Sequence, residues 1–175
     1  MKILAIGGSN SRNSINRQLA YFTAGLFENA QVTKVDISEI DIPLYSVEKE
    51  NEIGIPAEVL TFSWLIDETD LIVISLAENN GSFNVGLKNL LDWTSRIKDR
   101  KTFNGKKMLL MGTSPGPRGA ASVLEHAKTI FPHSGADIVS TFSLPNFYQN
   151  FTFGEGITNS EELNKLKAII SAFNS

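Results

Sequence analysis

Apolar and polar positions fall into short blocks along the 175 residues, and the period changes from block to block. Lys2-Ile3-Leu4-Ala5-Ile6 is an apolar run with the length of a buried parallel strand. From Ile15 the pattern becomes helical, with Leu19, Phe22 and Leu26 recurring at spacings of three and four. Val32-Thr33-Lys34-Val35-Asp36-Ile37 alternates like an edge strand. A loop containing Pro43 and Gly54 leads to a predicted helix over 56–68, with Pro56 suited to its first turn. Residues 70–76 (DLIVISL) form a second, strongly apolar strand, which reads as central.

The same alternation continues to the end of the chain. Residues 78–84 are polar and include Gly81, so they predict a loop. Residues 85–97 predict a helix, with Leu87, Leu90, Leu91 and Thr94 on one side and Lys88, Asp92 and Ser95 on another. A strand over 106–112, a Pro/Gly loop over 113–119, a helix over 120–131 and a strand over 137–144 follow. A closing helix is expected over 161–173, begun by Asn159 or Ser160 as cap, with acidic residues in its first turn. Five strands separated by helices imply an α/β protein with a parallel sheet covered on both faces, a three-layer α/β/α arrangement. Right-handed crossovers leave few topologies. The expected one is the flavodoxin-like doubly wound sheet with strand order 2-1-3-4-5. Without a repeat, low-complexity tract or linker, residues 1–175 read as one domain.

In such a sheet, ligands bind beyond the carboxyl ends of the strands, at the switch point between strands 1 and 3. Three loops emerge there: 9–16, 77–84 and 113–119. The first carries the hydroxyls of Ser9, Ser11 and Ser14, the amides of Asn10, Asn13 and Asn16, and the guanidinium of Arg12. All of these can donate hydrogen bonds. The loop also opens a helix, whose first amides are unpaired and whose dipole is positive at that end. It reads as an anion cradle. The plainer alternative is a capped helix start, with Asn13 or Ser14 as cap, but capping needs only one such residue. It is neither a Walker loop nor a Gly-x-Gly-x-x-Gly fingerprint. The second loop, Glu78-Asn79-Asn80-Gly81-Ser82, combines a glycine that permits positive φ with amides that can read a polar heterocycle; it also reads as an ordinary turn. The third, Thr113-Ser114-Pro115-Gly116-Pro117-Arg118-Gly119, is stiff at its prolines and exposes backbone near Gly116; it also reads as a simple connection.

Composition narrows the choices. The chain is 42% hydrophobic and 20% charged, ordinary for a folded domain. A net charge of −3 argues against a broad nucleic-acid footprint. The local cluster of Lys98, Arg100, Lys101, Lys106 and Lys107 reads as a solvated helix end and loop. With no cysteine, disulfides and thiolate chemistry are excluded. Two isolated histidines make a metal site unexpected. The N-terminus lacks a signal-peptide pattern, and no apolar run approaches the roughly 20 residues that span a bilayer, so a cytoplasmic protein without membrane contact is expected.

Taken together, the three loops resemble those of the NADPH-dependent FMN reductase family, which includes azo-, quinone- and chromate-reducing flavoproteins. The family motif Gly-Ser-x-Arg-x-x-Ser-x-Asn is matched by Gly8, Ser9, Ser14 and Asn16, with Leu19-Ala20 following. Ser11 occupies the motif's arginine position, and Arg12 stands one residue late. A second motif, Pro-Glu-Tyr-Asn-Gly-Ser followed by Leu-Lys-Asn and Asp-Trp, is matched by Ala77-Glu78-Asn79-Asn80-Gly81-Ser82, Leu87-Lys88-Asn89 and Asp92-Trp93. Here Ala77 replaces the proline and Asn79 the tyrosine. Asp41-Ile42-Pro43-Leu44-Tyr45 is similar to the family's stretch after strand 2, and the likeness extends from residue 2 to about 145.

The resemblance implies that the first loop holds the phosphate of FMN through Ser9, Ser11, Arg12, Ser14, Ile15 and Asn16. It further implies that Glu78, Asn79, Asn80 and Gly81 line the isoalloxazine, with Ser114 nearby. Lys88, Asn89 and Asp92 read as structural or interface groups, because buried polar residues need partners. Trp64, Trp93, Phe83 and Phe147 are aromatics able to stack on a ring, but core or dimer packing is the expectation for each. The implied activity is a ping-pong cycle: NADPH or NADH gives hydride to flavin N5, and a quinone, azo, metal-oxyanion or free-flavin acceptor then takes the electrons. The cofactor carries the chemistry, so no catalytic side chain is expected. A homodimer or homotetramer is implied. The rival reading is an electron carrier or redox-sensing flavin-binding module without turnover.

Overall fold

The computed structural model describes residues 1–173, so the last two positions of the expected domain lie outside the described residues. A five-stranded parallel sheet is formed by β1 (Lys2–Gly8), β2 (Gln31–Asp36), β3 (Leu71–Leu76), β6 (Lys107–Thr113) and β7 (Asp137–Leu144), in the order β2-β1-β3-β6-β7. Counting these long strands alone gives the expected order 2-1-3-4-5. Two short antiparallel hairpins complete the strand set: β4 (Glu78–Asn79) with β5 (Ser82–Phe83), and β8 (Phe151–Thr152) with β9 (Gly156–Ile157). The longer helices are α1 (Ile15–Gly25), α3 (Ala57–Asp67), α4 (Val85–Thr94), α5 (Ala121–Ile130) and α7 (Ser160–Ser171). Two shorter helices, α2 (Val47–Ile53) and α6 (Phe147–Asn150), lie in the connections.

Strand side chains alternate between two apolar cores. On one face Leu4, Ile6, Ile72, Ile74, Met108 and Leu110 meet Phe62 and Ile66 of α3, Leu87, Leu90 and Trp93 of α4, and Val123 of α5. On the other, Ile3, Ala5, Val73, Leu109 and Met111 meet Leu19 and Ala20 of α1 and Leu166 and Ile170 of α7. Every residue of β3 is buried, as expected of a strand covered on both sides. Burying a side chain of this size contributes roughly 1.5–3 kcal/mol before chain entropy is counted. β2 lies at the sheet edge and keeps mixed exposure, matching its alternating sequence.

Two glycines set the approach of the helices that frame the switch point. A Cβ on Gly7 would lie 2.5 Å from the Cα of Arg17, so α1 can cross the end of β1 only over a bare backbone. A Cβ on Gly86 would lie 2.7 Å from that of Asn10, so the first turn of α4 touches the first loop by the same means.

The sequence expectations differ from the structure in three places. Residues 78–84, expected as a loop, close into the β4–β5 hairpin. Its turn residues Asn80 (φ 52°) and Gly81 (φ 79°) both have positive φ, as a two-residue type I′ turn requires. The α2 segment VEKENEI buries none of its residues and so shows no apolar stripe; Ser46 caps it by accepting from the Lys49 amide at 3.1 Å. Residues 147–157 hold α6 and the β8–β9 hairpin, with strands too short for a period to register.

Candidate functional site

The first loop turns on its own hydroxyls. Ser9 Oγ accepts from the Ser11 amide at 3.2 Å, Ser11 Oγ from the Asn13 amide at 3.3 Å, and Ser14 Oγ from the Arg17 amide at 3.0 Å. Ser14, rather than Asn13, is the cap of α1. In each case the oxygen serves as acceptor to the backbone, so its own hydrogen remains to donate elsewhere. The amides of Arg12, Ile15 and Asn16 have no acceptor among the described residues. Six unspent donors therefore lie between Ser9 and Asn16, and five of them, all but the Arg12 amide, belong to residues that line one cleft.

Asn16 is buried, and its side chain is a tie rather than a ligand contact. Its Oδ1 accepts from Ser75 Oγ at 2.7 Å and from the Thr113 amide at 3.1 Å, while its Nδ2 donates to the Thr113 carbonyl at 3.2 Å. It thereby fastens the start of α1 to the ends of β3 and β6. What Asn16 offers the cleft is its backbone N–H.

Asn84 performs a similar task on the other side. Its Oδ1 accepts from the amides of Asn10 (3.2 Å) and Gly86 (3.0 Å), and its Nδ2 donates to Asn10 Oδ1 (3.0 Å) and Asn79 Oδ1 (3.1 Å). One amide side chain thus caps α4, holds the first loop and fixes the hairpin. Sequence reasoning did not select Asn84; its position immediately before a predicted helix was the available sign. Glu78 reaches across the cleft, where its Oε2 accepts from the amides of Ser122 (2.9 Å) and Val123 (3.1 Å) at the start of α5. That end of α5 has no side-chain cap of its own, so Glu78 fills the role from the second loop.

Third-loop backbone is pinned from the C-terminal segment. Ser114 O accepts from the Phe147 amide at 3.1 Å and Gly116 O from the Asn146 amide at 3.0 Å. Ser114 Oγ donates to Gly116 O at 3.2 Å. The three loops together border an open cleft of about 180 Å³, lined by Ser9, Ser11, Ser14, Ile15, Asn16, Glu78 and Ser114 among others. Asn79, Asn80 and Gly81 are exposed on the hairpin and Arg12 on the first loop, and none of these four borders that cleft. The Arg12 carbonyl accepts a bond from the Arg17 guanidinium, and Arg17 is in turn paired with Asp36.

The remaining motif residues are structural. Asn89 Oδ1 accepts from the Tyr45 amide at 2.9 Å, and Asn89 Nδ2 and Trp93 Nε1 both donate to the Pro43 carbonyl, at 3.0 and 2.8 Å. The 41–45 stretch and the α4 motif are therefore one unit. Lys88 pairs with Asp92 on the surface. Phe83 stacks on Phe131, Phe147 on Phe151, and Trp93 is fully buried, whereas Trp64 is 59% exposed. In the basic cluster, Arg100 bonds Asp67 at 2.9 Å and Lys106 donates to the Asp67 carbonyl at 2.7 Å. Partial burial raises the Asp67 carboxyl, but hydrogen bonds from Arg100 and Asn104 outweigh it and hold the group below its ordinary value.

A doubly wound parallel sheet with a donor-rich cleft over its switch point defines a nucleotide-binding α/β protein of the flavodoxin-like kind. Comparison with known proteins narrows this. The family described as NADPH-dependent FMN reductase matches residues 1–149. A 2-hydroxy-1,4-benzoquinone reductase from Burkholderia sp is 34% identical over 131 residues, 74% of this chain and 69% of that protein. A quinone reductase of Escherichia coli (strain K12) is 32% identical over 130 residues, with the same shares covered. Among solved structures, the flavoenzyme NAD(P)H:(acceptor) oxidoreductase FerB from Paracoccus denitrificans superimposes with a TM-score of 0.79 at 24% identity, covering 98% of this chain and 94% of that one. The chain belongs to the NADPH-dependent FMN reductase family, oxidoreductases that work with FMN and a reduced nicotinamide.

Proposed function

We propose that the cleft binds FMN with its phosphate on the first loop, and that the protein is an NAD(P)H-dependent reductase of small acceptors. The observation that carries this reading is the donor set: three serine hydroxyls whose oxygens are already bonded to backbone, and three unpaired amides, at the N-terminus of α1. A phosphate monoester carries up to two negative charges and needs several donors at once, which is the combination present. Glu78, the carboxylate bordering the cleft, is already held by two amides of α5. The residues fit the group.

Bound FMN would supply a hydride-accepting ring that takes electrons from NADPH or NADH and hands them, in a ping-pong cycle, to a quinone, azo, metal-oxyanion or free-flavin acceptor. The protein's part is positional. Ser9, Ser11 and Ser14 donate to the phosphate together with the amides of Arg12, Ile15 and Asn16. Asn84 holds the hairpin so that Asn79, Asn80 and Gly81 stand beside the ring, Glu78 caps α5, and Ser114 presents the third loop opposite them. No side chain is required as acid or nucleophile, since water can return the proton.

The test is direct. Purified protein reconstituted with FMN should be yellow and should oxidise NAD(P)H steadily when a quinone or azo dye is added. No flavin absorbance after FMN addition would overturn the cofactor assignment; a bound flavin with a flat NAD(P)H trace would favour the carrier or sensor. We also propose a homodimer or homotetramer, supported by Leu60 (48% exposed) and Trp64 (59%), which stand one turn apart on α3. Sedimentation should show a larger species that Trp64→Glu shifts to the monomer; a monomeric wild type would refute it.

A further inference from the structure

The β4–β5 hairpin brings no aromatic ring to the cleft: Glu78, Asn79, Asn80, Gly81 and Ser82 are polar or bare, and Phe83 is turned inward against Phe131. A planar ring bound over the switch point would therefore lack a flat apolar partner on that side. The structure provides one from elsewhere in the chain. Tyr148, on α6, borders the same cleft as Ser9, Ser11, Ser14, Thr113 and Ser114, and it is the one aromatic among the described residues that line it.

Tyr148 is 72% exposed, and its hydroxyl has no partner among the described residues. Yet it does not stand on a loose segment. The preceding residue, Phe147, is buried, stacks on Phe151 at 4.7 Å, and donates its amide to Ser114 O at 3.1 Å. Asn146 donates its own amide to Gly116 O at 3.0 Å, and Asn150 Nδ2 closes the turn on Pro145 O at 2.8 Å. Tyr148 packs edge-on to the Phe147 ring at 5.5 Å. Tyr148 is thus a large, solvent-facing aromatic at the rim of the cleft, on a helix whose own backbone grips the third loop.

We infer that Tyr148 is a cofactor-contacting residue whose ring covers the flavin ring system at the outer end of the cleft. This rests on the FMN reading above. It assigns to the C-terminal segment a wall that the second loop does not supply, and a contact through the ring rather than through the hydroxyl.

The experiment titrates FMN into wild type, Tyr148→Ala and Tyr148→Phe by calorimetry, and records the emission of the bound flavin. Because Tyr148 is exposed, the variants should keep the wild-type melting temperature. Tyr148→Ala should weaken FMN binding about three- to tenfold, the usual worth of an aromatic contact. Tyr148→Phe should bind within about twofold of wild type, because the ring is kept. A tyrosine in van der Waals contact quenches flavin emission by electron transfer, so bound FMN should brighten in both variants. FMN affinity and emission unchanged in Tyr148→Ala, beside a wild type that binds FMN, would overturn this inference alone. Equal losses in Tyr148→Phe and Tyr148→Ala would overturn it in favour of a hydroxyl contact. A wild type that binds no FMN would overturn it together with the reading beneath it.

Discussion

The first loop and the β4–β5 hairpin are alike in composition and opposite in use. Both carry serine and asparagine, and both leave the carboxyl edge of neighbouring strands. In the first loop the hydroxyl oxygens are bonded within the loop while their hydrogens stay available, and three backbone amides are left over. In the hairpin the larger side chains are bonded to other parts of the fold: Glu78 to α5, and Asn79 to Asn84. The first loop therefore keeps donors to spare, whereas Glu78 and Asn79 of the hairpin each commit a side-chain oxygen to the fold. A polar side chain near a cleft becomes a ligand contact only when its donors remain after the fold has been satisfied.

The most severe way to break this comparison is to put negative charge where the donors are. Replacing Ser9 and Ser14 together by Asp should lower FMN affinity by about a hundredfold or more, since like charges forced together cost several kcal/mol. Aspartate is itself a good helix cap, so circular dichroism should show α1 unchanged. FMN bound at wild-type affinity by the double variant would remove the phosphate from this loop. Next in size is Asn84→Ala, which cuts the link between the two regions. Calorimetry should show about a tenfold loss of FMN affinity, and melting should fall by roughly 8–16 °C, from four hydrogen bonds worth about 1 kcal/mol each. Glu78→Ala sharpens the contrast, because it strips the cap from α5. It should lower the melting temperature by about 2–4 °C, for roughly 1 kcal/mol, and leave FMN affinity within about twofold. The reverse pattern would make Glu78 a ligand contact. The smallest effect is expected from Arg12→Ala, within about twofold in FMN affinity, because this exposed side chain does not border the cleft.

The sheet could be read from the chain because its strands are either short, almost wholly apolar runs bounded by loops, as in β3, or alternating, as in β2. The α2 helix could not, since none of Val47–Ile53 is buried and the segment is held by its Ser46 cap and by Tyr45 and Arg96 bonding to Glu50. The donor-rich loop was also readable, down to Ser14 as one of two named caps. What escaped was the division of labour among amides. Asn10, Asn16, Asn79, Asn80 and Asn84 look the same in sequence. Whether each faces solvent, ligand or another loop is decided by contacts spanning up to 97 residues, as between Asn16 and Thr113. Tyr148 escaped for the same reason: its neighbour in the chain anchors it to a loop more than thirty residues earlier.

The bonds of Asn16 bear on how fast and how reversibly the cleft can fill. With Oδ1 and Nδ2 bonded to Ser75 and Thr113, the start of α1 is already fastened to the ends of β3 and β6 before any anion binds. Little chain entropy is then left to lose on binding, and association needs no rearrangement of the backbone. Differences in affinity among variants should consequently appear in the dissociation rate, while the association rate stays nearly constant. On the proposed FMN reading, the residence time should then depend on an amide side chain that need not touch the cofactor.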